Sequence, residues 1–169
     1  MRWPWLLIAA FCAARLVASP SHAAVETSSS LQAHFDSEPN SVRKAKLFEK
    51  LGNAQMQDAR KAQEANDFNS VGLIWEKFRN NVRDALDALQ KQHPDAEKQS
   101  NGYRQLEVTT RLGIRELDQT VLEAPEPYKP PLTLVRRDLS SMDEQMLKLL
   151  FPRRIQDPPS ATNPTEKPQ

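Results

Sequence analysis

The side chains able to do chemistry are few and scattered. Histidine occurs only at positions 22, 34 and 93, and the single cysteine is Cys12. Carboxylates stand close together at Asp84 and Asp87 and again at Asp143 and Glu144. Two acids held in unequal surroundings can divide general-acid and general-base work in hydrolysis. Asp84 and Asp87, however, fall beside Arg83 and Lys91, off the apolar arc of their helix, as solvated helix charges do. The adjacent arginines Arg136-Arg137 and Arg153-Arg154 could grip phosphate or anionic lipid, yet a polybasic membrane segment gathers about four to eight cations. No Glu-x-x-His pair, C-x-x-C-H, glycine-rich phosphate loop or G-x-S-x-G elbow occurs. The expectation is therefore no catalytic constellation, no metal site and no cofactor.

The elements that must carry these residues read as helices. The whole chain holds only four glycines, and no stretch sustains the apolar–polar alternation of a strand. A first helix opens at Asn40 or Ser41, either able to cap an orphan backbone N–H, and runs to about Asn66 with Leu47, Leu51, Ala54, Ala62 and Ala65 on its spacing. A second spans about Asn69 to Gln92. Its Val71, Ile74, Trp75, Phe78, Val82, Ala85, Leu86 and Leu89 share an arc of about 120° at 100° per residue, which makes Trp75 and Phe78 core anchors. Pro94 ends it, and His93 sits where a cation suits the helix's negative end. A third helix, from about Gly102 to Glu123, lines up Tyr103, Leu106, Thr110, Ile114, Leu117 and Val121. Val108 and Leu112 point to its opposite side. Either this helix is central and buried on two sides, or it offers a second apolar face to a partner. The loop APEPYKPP, four prolines in eight residues, precedes a fourth helix whose Leu132, Val135, Leu139, Met142, Met146 and Leu149 form a seam suited to antiparallel packing. The expected fold is all-α, four antiparallel helices over residues 40–151.

The ends differ in kind. Arg2, an apolar run from Trp5 to Ala14 and small residues around Ser21-His22-Ala23 have the order of a secretory signal cleaved after Ala23. The run is too short for a membrane span and Arg15 interrupts it. Cys12 leaves with the signal, so the mature chain forms no disulfide. Arg2 and Arg15 leave too, which lowers the basic residues from 23 to 21 against 22 acidic ones. So balanced a charge excludes the concentrated basic stripe that nucleic acid requires. Residues 24–39 are serine-rich and aperiodic, and residues 152–169 hold five prolines. Both are expected to be disordered.

Leu51-Gly52-Asn53-Ala54 resembles the centre of a first helix in the tetratricopeptide repeat family. Asn66-Asp67-Phe68 resembles that family's turn, with Val71 at the small packing position and Trp75 at the aromatic one. About seven more residues than usual separate the leucine-glycine pair from the turn, close to two helical turns, so the packing face is kept. Gln55 stands where an aromatic or leucine is usual. The likeness covers residues 48–92. A second pair, Leu112-Gly113, is followed by the proline-rich loop where another second helix belongs, so one degenerate hairpin is expected and not an array. The resemblance implies binding of a peptide or protein on the concave side, with Asn53, Arg60 and Arg79 as polar contacts.

The reading is an exported, periplasmic or secreted, non-catalytic helical module that binds a protein or peptide partner in the cell envelope. Its candidate surface is Val108, Leu112, Asn53, Arg60 and Arg79. Two alternatives stay open: a small envelope hydrolase whose carboxylates only the fold assembles, and a self-associating structural helical protein.

Overall fold

The computed structural model describes residues 27–152; the expected signal and most of the proline-rich tail lie outside them. Five helices follow one another: α1 (Ser28–Ser37), α2 (Ser41–Glu64), α3 (Phe68–Gln92), α4 (Ser100–Glu123) and α5 (Lys129–Leu150), with one 3₁₀ turn at Glu126–Tyr128. No strand occurs among the described residues, and no helix there is long and apolar enough to cross a membrane.

The boundaries follow from local chemistry. Asn40 Oδ1 accepts from the Arg43 N–H at 2.9 Å and Asp67 Oδ1 from the Ser70 N–H at 3.1 Å, each satisfying a first-turn donor. Between them Asn66 takes φ 57°. Its N–H donates to Gln63 and that of Asp67 to Ala62, both at 2.9 Å. This is the left-handed helix stop usually supplied by glycine, which asparagine tolerates. Pro130 and Pro131, expected in the loop, occupy the first turn of α5, where a missing N–H costs nothing.

The expected count of four helices is corrected to five. Residues 28–37, within the segment expected to be disordered, form α1, capped by Thr27. Only two apolar residues one turn apart, Leu31 and Phe35, hold it, and both are buried. Phe35 meets Phe48 of α2 at a ring distance of 6.0 Å. Beneath it Gln32 and Asn81 exchange two amide hydrogen bonds, at 3.0 and 2.9 Å, so these buried polar groups are satisfied.

Helices consecutive in the chain pack antiparallel. α2 and α3 form one antiparallel hairpin, with Ser41 bonded to Gln92 and Gln55 to Asn81. α4 and α5 form a second, with Asp143 near Arg111 and Arg136 bonded to Asp118. The hairpins stack with their first helices parallel: Glu49 meets Gln105, Arg60 meets Glu116 and Gln63 meets Glu123, rising together along both chains. α3 and α5 also run parallel, with Phe68 beside Tyr128 and Arg79 beside Asp138. The domain is thus two layers, α2/α4 and α3/α5, with α1 alongside α2.

The expected third and fourth helices, α4 and α5, make the second hairpin, with Leu112-Gly113 in its first helix. Gly52 and Gly113 are 61 residues apart (113 minus 52), and the same offset relates the first residues of α3 and α5, Phe68 and Lys129. It also relates the buried pairs Ala45 and Leu106, Met56 and Leu117, Val71 and Leu132, Phe78 and Leu139, Ala85 and Met146, and Leu89 and Leu150. Both glycines face the ring of Phe78, which a Cβ on Gly52 would meet at 3.1 Å and one on Gly113 closer still. Each leucine-glycine pair thus lets a first helix settle on the same central aromatic. Phe78 continues into Phe48 at 5.1 Å and Trp75 at 5.4 Å, a run of rings through the core.

Gly72 is different, because a Cβ there would meet nothing within 4 Å. In a helix interior glycine costs about 0.5–1 kcal/mol relative to alanine. Gly72→Ala is accordingly expected to stabilise the domain by up to about that much, read as a higher urea midpoint with unchanged slope.

Candidate functional site

The fold brings three of the five candidate residues together. Along α2, Val42, Lys46, Glu49 and Asn53 recur at spacings of four, three and four; along α4, Asn101, Gln105, Val108 and Leu112 do the same. The parallel stacking sets these two stripes side by side. Between them lies a groove of about 700 Å³ that also takes in Arg43, Arg104 and Thr109. Val108 is 56% exposed and Leu112 43%. α4 touches α2, α3 and α5, and these two residues emerge on the side that no helix covers. Their apolar face is therefore a surface, although the helix itself is central.

The seam is more open at one end, where within the groove Gln105 alone reaches across it to Glu49 at 2.8 Å. Toward the C-terminal ends of α2 and α4, Arg60 clamps Glu116 through two bonds of 2.9 and 2.6 Å, and Gln63 donates to Glu123 at 2.6 Å. Arg60 thus closes the seam and is not part of the groove. Arg79 belongs to the other layer, where it pairs with Asp138 at 3.3 Å. In the open half, Arg43 pairs with Glu38 at 3.4 Å, while Lys46 and Arg104 form no ion pair among the described residues. Sequence reasoning missed Val42, Arg43, Lys46 and Arg104. The stripe on α2 is visible in the sequence, but nothing there says that it lies against α4.

The carboxylates regroup. Asp84 and Asp87 are exposed on α3. Asp143 faces not its neighbour Glu144 but Glu107 of α4, which is 8% exposed. Arg111 stands between them, ion-paired with Glu107 and 3.9 Å from Asp143. Burial pushes the Glu107 carboxyl above the usual carboxylate range and the charge of Asp143 adds to the shift, while Arg111 opposes it. Burial also raises Asp143. Two buried carboxylates in one seam repel each other, so the pair fastens α4 to α5 best when it holds one proton. Neither group lines the groove.

The sign follows from linkage. A carboxyl raised on folding contributes stability that is fully present below its unfolded pKa and is lost as pH rises through the raised value. Glu107→Gln, which keeps a hydrogen-bond donor, is expected to melt higher than wild type at pH 7. The gap should close as pH falls below about 4, the ordinary carboxylate range. Parallel melts between those limits check this; a gap independent of pH would contradict it.

His34 is exposed, whereas His93 is half-buried and its backbone carbonyl accepts from Tyr103 Oη at 2.8 Å. Among the described residues no three His, Cys, Asp or Glu side chains converge as metal ligands would. No protein family, no curated protein and no solved structure matches this chain.

Proposed function

We propose that this chain is an exported, non-catalytic interaction module that holds a segment of a protein partner in the groove between α2 and α4. The observation that carries the reading is the convergence of exposed Val108 and Leu112 with Val42 in a groove of about 700 Å³. Exposed apolar surface gathered in a rimmed depression is what partner sites present. The stacked hairpins with parallel first helices support the likeness to tetratricopeptide repeats, and so does the fact that the groove lies on the first-helix layer. The signal-like opening of the sequence supports a setting in the cell envelope.

The test is retention of a partner from native envelope extract by the immobilised chain and by Val108→Glu/Leu112→Glu. The reading requires a protein held by the first and lost by the second while its helicity is intact. The same partner held equally by a folded variant would sink it.

A further inference from the structure

The groove's charge is as uneven as its shape. In the closed half of the α2/α4 seam the cation is spent on a carboxylate, Arg60 on Glu116. In the open half three cations surround the apolar floor, and two of them, Lys46 and Arg104, have no anionic partner among the described residues. Glu49 is the one carboxylate in the lining, and it already accepts from Gln105 at 2.8 Å.

The helix ends add to this. Because α2 and α4 run parallel, both N-termini sit at this open end, and neither first turn contains an acidic residue. Asn40 caps α2, but no side chain caps α4. The positive end of the α4 dipole therefore lies where Asn101 and Arg104 line the groove. Lone cations on a surface mean little, but these border an apolar floor and share a helix end.

Resting on the binding role proposed above, we infer that the groove's occupant is an acidic amphipathic segment of the partner. Its apolar side chains lie on Val42, Val108 and Leu112. Its carboxylates face Lys46, Arg104 and the start of α4. From Val42 to Asn53 is 11 residues, so the groove runs about 16 Å at 1.5 Å per residue, the length of a three-turn helix. Complementary charge would hasten encounter and fix the direction in which the segment lies.

The experiment is a selection of randomised twelve-residue peptides displayed on phage, with the full chain as bait and Val108→Glu/Leu112→Glu as the counter-selected control. Enriched sequences should carry Asp and Glu in excess over Lys and Arg, with apolar residues three or four apart. Made synthetically, they should bind Lys46→Glu/Arg104→Glu at least about tenfold more weakly than wild type. Their binding should also weaken as salt rises from about 0.05 to 0.5 M. Enrichment without acidic bias, or acidic peptides indifferent to the charge reversal, overturns the acidic partner and leaves the groove as a binding site. Failure to enrich any peptide dependent on Val108 and Leu112 overturns the groove itself. Retention of the chain by phosphatidylglycerol vesicles through these residues, with no acidic peptide enriched, assigns the surface to a membrane and overturns the proposal.

Discussion

Replacing Val108 and Leu112 together by glutamate is expected to remove partner binding while leaving the fold's stability nearly unchanged. Val108 is 56% and Leu112 43% exposed and neither belongs to the core, so the change opens no buried cavity. Helix propensity favours glutamate over valine slightly and is near neutral for leucine. Surface changes of this sort usually stay within about 0.5 kcal/mol. Binding is another matter, because two carboxylates would be desolvated against whatever apolar side chains dock there. Truncation or reversal at the centre of an interface commonly costs about 2–4 kcal/mol, roughly 30-fold to 1,000-fold in affinity. Against an acidic segment the new charges would also compete for Lys46 and Arg104. Circular dichroism and thermal melts beside the binding measurement check both halves of this expectation. A variant that lost its helicity would show that the face is core after all.

The largest expected effect on stability lies at Phe78. It is fully buried, touches Phe48 and Trp75, and stands against both Gly52 and Gly113. Phe78→Ala is expected to cost about 3–5 kcal/mol, a large share of a small domain's stability. Gly113→Ala acts from the other side of the same contact. A Cβ there would enter the Phe78 ring, and overpacking of this sort costs about 1–3 kcal/mol, partly offset by alanine's better helix propensity. The two effects should not add. In Gly113→Ala/Phe78→Leu the smaller side chain makes room, so the double variant should lose less than the sum of the singles, by about 0.5 kcal/mol or more. Urea midpoints of the four proteins measure this. If Gly113→Ala stabilised the domain as Gly72→Ala is expected to, the close approach of α4 to α3 would be refuted.

The periodic helices were legible because their apolar arcs are long. Val71, Trp75, Phe78, Val82, Ala85, Leu86 and Leu89 on α3, and Leu132, Val135, Leu139, Met142 and Met146 on α5, are buried as their spacing required, while Ile74 and Leu149 of the same arcs are only partly buried. α1 was not legible. Leu31 and Phe35 in a serine-rich segment give a single i, i+4 pair, which is no pattern by itself. An isolated helix of 10 residues is marginal in water, so it forms because Phe48, Gln55 and Asn81 of other helices wait beneath it. The 61-residue correspondence was hidden for a related reason. Across the 61-residue offset (113 minus 52) Phe48 becomes Thr109 and Val82 becomes Asp143, so burial is largely kept while residue identity is mostly lost.

The candidate surface was half legible. Val108 and Leu112 stood out because they break the one-sided pattern of their helix. Arg60 and Arg79 look no different in sequence from Arg43 and Arg104, yet the first pair is engaged across seams by Glu116 and Asp138 and the second borders the groove. Which face of α2 lies along which face of α4, and in which direction, is decided by tertiary packing. Spacing within one helix does not carry that information.

The most direct measurement of the central claim is site-specific photocrosslinking in living cells, with a photoreactive residue placed in the full chain at Val108, at Leu112 or at Leu73. Leu73 is 67% exposed on α3 but outside the groove, so it samples chance encounters at a surface of similar character. The expected result is one discrete adduct at positions 108 and 112, absent at 73 and lost when Lys46 and Arg104 are reversed in charge. Equal adducts at all three positions, or a discrete adduct at 73 alone, would contradict the groove as the site where this protein holds its partner.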